Sequence, residues 1–123
     1  MARLEKHLQS QMIRRINDLD CPSRARVVHG GPHQAAGEPD IDACIMGLTL
    51  KVEVKLPGNV PTPRQEAVIR KWRDAGAVAG WAHSLEHLDV LIIDCLRSTG
   101  DGTAGVLADQ MQDELDANER NQP

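Results

Sequence analysis

Residues 48–56, LTLKVEVKL, alternate apolar and polar side chains without a break. Only an extended strand sorts such a run cleanly, with Leu48, Leu50, Val52, Val54 and Leu56 on one face and Thr49, Lys51, Glu53 and Lys55 on the other. The apolar face requires a helix to cover it. On the opposite face, Glu53 and Lys55 project from neighbouring positions. Charges on a central strand are poorly solvated unless they have a task. The competing reading is an ordinary solvated face, to which Lys51 would belong.

The flanking sequence builds outward from this strand. Ile41 to Met46 forms a second strand, separated from the first by Gly47, which predicts a hairpin. Pro57-Gly58-Asn59 closes it. Thr62 then suits the N-cap of a helix, with Pro63 at its first position and Gln65 at the third place of a capping box. Val68, Ile69 and Trp72 form the buried stripe of this helix, and Gly76 ends it. Ala77 to Ala82 reads as a strand. Ser84 caps a helix carrying Leu85, Leu88, Leu91 and Ile92, although Val90 to Ile93 also has strand character.

Upstream, residues 2–19 place Leu4, Leu8, Met12, Ile16 and Leu19 three or four apart, the stripe of an amphipathic helix ended at Cys21-Pro22-Ser23. A short strand at Arg24 to His29 and a Gly- and Pro-rich loop from Gly30 to Pro39 lead to the hairpin. The resulting order α-β-β-β-α-β-α predicts an α/β fold, a mixed central sheet flanked by helices. Residues 98–105 read as a Gly-rich linker, and 106–119 as an acidic helix with Leu107, Met111 and Leu115 on one side. The expected division is a domain over 1–97 and an acidic tail over 98–123.

Composition narrows the function classes. No apolar run approaches a membrane span, and the charged amphipathic N-terminus does not read as a signal peptide; an intracellular setting is expected. Cys21, Cys44 and Cys95 are odd in number and without a CxxC pair, which disfavours a disulfide framework or zinc site. Cys44 and Cys95 are expected to be buried as small hydrophobes. The net charge of −4 is unevenly spread: residues 1–75 carry 12 Lys/Arg against 9 Asp/Glu, and residues 76–123 carry 2 against 9. A basic working face with an acidic tail is compatible with phosphate binding.

The chemistry-bearing string is Gly37-Glu38-Pro39-Asp40, twelve residues, then Glu53-Val54-Lys55. Mg²⁺ takes one or two carboxylates and keeps several waters. Asp40 at the start of one hairpin strand and Glu53 within its partner supply two such groups, and the Val54 carbonyl adds a third oxygen. Lys55, on the face of Glu53, can stabilise negative charge or orient a water. Such a set could hold the hard divalent cation that polarises a phosphodiester or its attacking water for hydrolysis.

Pro39-Asp40 with Glu53-x-Lys55 resembles the PD-(D/E)xK nuclease superfamily. The wider context is similar to its virus-type replication-repair nuclease family, VRR-NUC, of the stand-alone phage and bacterial type: a helical Glu near the N-terminus, a G-x-P-D loop, a strand ending E-V-K, a Pro-Thr-Pro segment and then Gln65. The likeness covers roughly residues 1–93. It implies a restriction-endonuclease-like α-β-β-β-α-β core and Mg²⁺- or Mn²⁺-dependent cleavage of DNA. Asp40 and Glu53 would bind metal, Lys55 would act on the water or transition state, Gln65 would be the family's helical glutamine, and Glu5 the carboxylate completing the site. Relatives of this kind commonly act as homodimers, some on branched DNA such as Holliday junctions.

Each assignment has a plainer counterpart. Asp40 suits a turn, Gln65 a capping box, Glu5 the first turn of a helix, and Asp42 the surface. His29 and His33, in the Gly-rich loop, read mainly as solvent-exposed. Arg14, Arg15, Arg24, Arg26, Arg64 and Lys71, with Arg70 and Arg73, are the candidate phosphate contacts. Trp72 and Trp81 are the only aromatics besides histidine, so no base-stacking platform is expected, which favours readout of duplex backbone or shape. An inert nucleic-acid-binding module, or a nuclease acting on RNA, is the alternative function.

Overall fold

The computed structural model describes residues 2–28 and 36–122. Helix α1 spans Ala2–Asn17, strand β1 Ser23–Val27, β2 Ile41–Ile45, β3 Leu48–Val54, helix α2 Pro63–Asp74, β4 Val78–Ala82, α3 Leu85–Ser98 and α4 Gly102–Arg120. Four strands form one sheet in the order β1-β2-β3-β4. Strand β2 lies antiparallel to both β1 and β3, and β4 lies parallel to β3 after the α2 crossover. The fold is the mixed α/β sheet that the order of elements predicts.

The alternation of β3 decides the layering. Leu50, Val52 and Val54 are fully buried and join Ile41, Ala43 and Ile45 of β2 in the main core. Met12 and Ile16 of α1 and Leu88, Ile92 and Leu96 of α3 cover this face. Leu4, assigned to the same helical stripe, stays exposed one turn beyond the sheet. On the opposite face, α2 lies across β3 and β4 and buries Ile69. Met46 (φ 52°) and Gly47 (φ 87°) turn β2 into β3. Both central residues have positive φ, as a two-residue type I′ hairpin turn demands.

Two expectations need correction. The stretch 98–105 is not a linker. Helix α3 runs through Ser98, and α4 begins at Gly102, where Asp101 caps it by accepting from the Ala104 N–H at 2.9 Å. Ala104, Ala108 and Met111 then enter the same core as the sheet. Propensity fails here because Gly102 lies in the first turn, and the Asp101 cap with the burial of Ala104, Ala108 and Met111 outweighs the cost of Gly105. The second concerns Cys44, which is exposed rather than buried. It shares the parity of Asp42 on β2, opposite to Ile41, Ala43 and Ile45. Cys95 is fully buried, as expected. Val90 to Ile93 is helical. His29, His33 and most of the glycine-rich loop lie outside the described residues.

Candidate active site

The register of the hairpin brings the two acids together. Ile41 pairs with Val52, so one step further Asp40 stands opposite Glu53. Directly opposed residues on antiparallel strands share a face, with Cβ atoms ~5 Å apart. Asp40 Oδ2 accepts a hydrogen bond from the Val54 N–H at 2.8 Å, which fixes its carboxylate against β3. Its own carbonyl accepts from the Val28 N–H at 2.7 Å, tying the acid to β1 as well.

The loop entering Asp40 is held from α2. Glu38 Oε2 accepts from the Trp72 indole N–H at 3.0 Å. Gly37 has φ +85°, and a Cβ there would stand 2.9 Å from Arg64 Cγ. Glycine is required at this position on both counts. Pro39 is fully buried. The aspartate is therefore delivered by a pinned segment.

Glu53 is only 3% exposed. Its Oε1 accepts from Gln65 Nε2 at 3.0 Å and lies 3.8 Å from Lys55 Nζ. Oε2 is buried and has no partner among the described residues. Burial, and then the charge of Asp40, push the Glu53 carboxyl up to about 8; Lys55 opposes the shift, and Glu5 adds to it weakly. A buried, unpartnered carboxylate oxygen beside a second carboxylate is an arrangement that a hard cation would satisfy. The oxygen-only donor set fits Mg²⁺ or Mn²⁺. Two carboxylates make the centre, and among the described residues no three His, Cys, Asp or Glu side chains form a ready-made cage. Mg²⁺ suits so sparse a set because it keeps most of its waters. Glu5 reaches this centre through its field.

Gln65 both caps α2 and reaches Glu53. Its backbone N–H donates to Thr62 Oγ1 at 3.2 Å, and its side-chain Oε1 accepts from the Thr62 N–H at 2.9 Å, the two halves of a capping box. Its Nε2 remains free to hold Glu53. Capping orients the amide that the site uses.

The rest of the polar face is not a solvated strip. Lys51 is buried, pairs with Asp42 Oδ1 at 2.9 Å and lies 4.0 Å from the centre of the Trp72 ring. Asp42 is bound further by Arg26 at 3.4 Å and is no bare surface acid. Lys51 and Glu38 thus brace the loop, strand and helix around Asp40. Sequence reasoning missed both. Their signal was the spacing of Gln65 and Trp72, seven apart on one face of α2.

The candidate cations separate. Arg15 forms a bidentate pair with buried Asp89, at 2.6 and 2.5 Å, so it joins α1 to α3 rather than waiting for a phosphate. Arg73 Nε donates to the Ala79 carbonyl at 2.7 Å. Arg14, Arg24, Arg26, Arg64, Arg70 and Lys71 are exposed. Of these, Arg64 lays its stem beside Gly37, in the segment that enters Asp40.

The sequence matches no family model and no curated protein. Its fold is similar to that of solved structures. One, described as a VRR_NUC domain, superposes with a TM-score of 0.60 at 26% identity, covering 72% of this chain and 92% of that one. Another, a VRR_NUC domain protein, gives 0.62 at 17% identity, covering 76% and 88%. The fold is similar to that of VRR_NUC domains, and the acids and lysine that its hairpin carries agree with the resemblance to the VRR-NUC family of the PD-(D/E)xK nuclease superfamily.

Proposed function

We propose that the chain is a divalent-metal-dependent endonuclease that hydrolyses DNA phosphodiesters. The observation that carries this reading is Glu53 Oε2, without a partner among the described residues and buried beside Asp40 with Lys55 alongside. Asp40 and Glu53, with the Val54 carbonyl, would hold Mg²⁺ or Mn²⁺, whose bound charge supplies the Lewis acid for attack on phosphorus. Gln65 orients Glu53. Lys55 extends from the rim of the pair, where its ammonium can meet the negative charge that builds on the phosphoryl oxygens. A water oxygen bonds to phosphorus and gives up a proton to solvent, the bridging P–O bond breaks in line, and the departing oxygen takes up a proton from solvent. Arg64 and the exposed arginines supply backbone contacts that carry no sequence information.

Branched DNA as substrate and a homodimer as the working form belong to the same proposal. One site cuts one strand, and a two-fold pair would cut two symmetrically. The test is cleavage of labelled duplex, flap, splayed and four-way-junction DNA with Mg²⁺, Mn²⁺ or EDTA, beside Glu53→Ala and Lys55→Ala. Metal-dependent cutting that both substitutions abolish in folded protein is expected. Equal cutting by the variants, or none by the parent, would remove the assignment.

A further inference from the structure

A second cluster adjoins the acids on the same sheet face. Glu53 pairs with Trp81 across the parallel β3–β4 ladder, so Asp40, Glu53 and Trp81 stand in one row over three strands. Neighbouring strands are ~4.8 Å apart. One step further along, Lys55 donates its N–H to the Ala82 carbonyl at 3.0 Å, which brings His83 beside Lys55. His87, from the first turn of α3, completes a trio of rings. Their centroids lie 5.9 Å (Trp81–His83), 5.2 Å (Trp81–His87) and 4.6 Å (His83–His87) apart.

The trio is ordered but not core. The core face of β4 is Val78, Gly80 and Ala82, and Trp81 and His83 have the opposite parity. All three rings are half-buried, and β4 is the edge strand of the sheet. The His83 N–H donates to His87 Nδ1 at 3.4 Å, and Ser84 Oγ caps the His87 N–H at 3.0 Å. Burial and the neighbouring His83 hold the His87 imidazole below its usual range.

From this placement we infer that Trp81, His83 and His87 form a stacking subsite for an unpaired nucleobase flanking the phosphate to be cut. This rests on the nuclease reading for the site beside it. A base in a duplex has both faces covered, so rings at a protein surface can receive only a base that has left the stack. Lys55 would hold the phosphate while the adjoining base lies on the rings. The sparse aromatic content of the chain concealed this, because two of the rings are histidines and the three come from two separate elements.

The test uses the full chain with Trp72→Phe, which leaves Trp81 as sole tryptophan emitter, in EDTA so that DNA stays intact. The probes are splayed-arm DNA with unpaired thymines, the same DNA with abasic arms, and the matching duplex. Quenching of Trp81 by the thymine arms but not by the abasic arms is expected. His83→Ala should weaken binding of the thymine arms about tenfold and leave abasic binding unchanged. Equal quenching and affinity for thymine and abasic arms, or an unaffected His83→Ala, would overturn the subsite. Metal-dependent cutting alongside that result would retain the nuclease reading. Base-dependent quenching, where the parent chain with Trp72 intact cuts nothing with any metal, would retain the subsite and sink the nuclease reading. No binding to any of the three DNAs would overturn the subsite as well.

Discussion

Replacing Glu53 with glutamine should make the metal-free protein more stable. The carboxyl is buried, faces Asp40, and titrates at about 8 instead of the ordinary 4.5. Each unit of displacement is worth 1.36 kcal/mol, so ionising an unfolded chain but not the folded one costs the parent about 3 kcal/mol at pH 7. The sign follows from the raised value. Between roughly pH 4.5 and 8 the folded state binds more protons than the unfolded one, so parent stability is fully present below the lower limit and falls as pH rises. A glutamine carbonyl still accepts from Gln65, and its NH₂ can donate to Asp40. The variant should therefore match the parent near pH 4.5 and melt about 10 °C higher near pH 7, on the basis of ~4 °C per kcal/mol for a chain of this size. Thermal unfolding in EDTA across pH 4.5–8.5 measures this. Adding Mg²⁺ should then raise the parent's melting temperature through binding to the native state alone, and leave the variant unmoved. Equal or lower stability of the variant at pH 7, or a parent whose stability does not fall with pH, would refute the reasoning.

Lys55→Ala should lower the cleavage rate at least about a hundredfold while the circular dichroism spectrum is retained, as expected for loss of a charge acting in the transition state; an unimpaired rate would release Lys55 from its role. Arg15→Ala removes the partner of a buried aspartate, with Arg15 itself 38% exposed, and should cost about 2 kcal/mol in urea unfolding. If DNA affinity falls and stability does not, Arg15 is a phosphate contact after all. Under native conditions a thiol reagent should modify Cys44 quickly and Cys95 only on unfolding, since Cys95 is fully buried and its thiol is pushed to about 12. Prompt labelling of Cys95 would contradict its position in the core.

Most of the fold was legible in the sequence because its signals are local. The alternation of residues 48–56, the Thr62-Pro63-Gln65 cap and the helical stripe through Met12 and Ile16 each act within a few residues, and the structure reproduces them. The opposition of Asp40 and Glu53 needed only strand parity and a short turn. What stayed hidden depends on partners far along the chain. Arg15 reads as a free cation until Asp89, 74 residues away, is placed beside it. Lys51 reads as solvated until α2 lays Trp72 over it. Residues 98–105 read as a linker because glycine propensity outweighed the cap at Asp101 and the contacts of Ala104 and Ala108 with the core. Cys44 is a different kind of miss, since the parity of β2 already assigns it to the outer face.

The turn at Met46 and Gly47 lies six residues from Asp40 and from Glu53, about 20 Å along the hairpin at the rise of a strand. It nevertheless acts as the ruler for the site. Its two residues set which member of β2 faces which member of β3. One residue added there would shift the pairing by a step and exchange the two faces of one strand. Glu53 and Lys55 would then point into the core, and Val54 would take their place opposite the aspartate. Tolerance to length change at this exposed corner should thus be far lower than its distance from the acids implies, and Met46 accepts an unfavourable φ to keep the count at two.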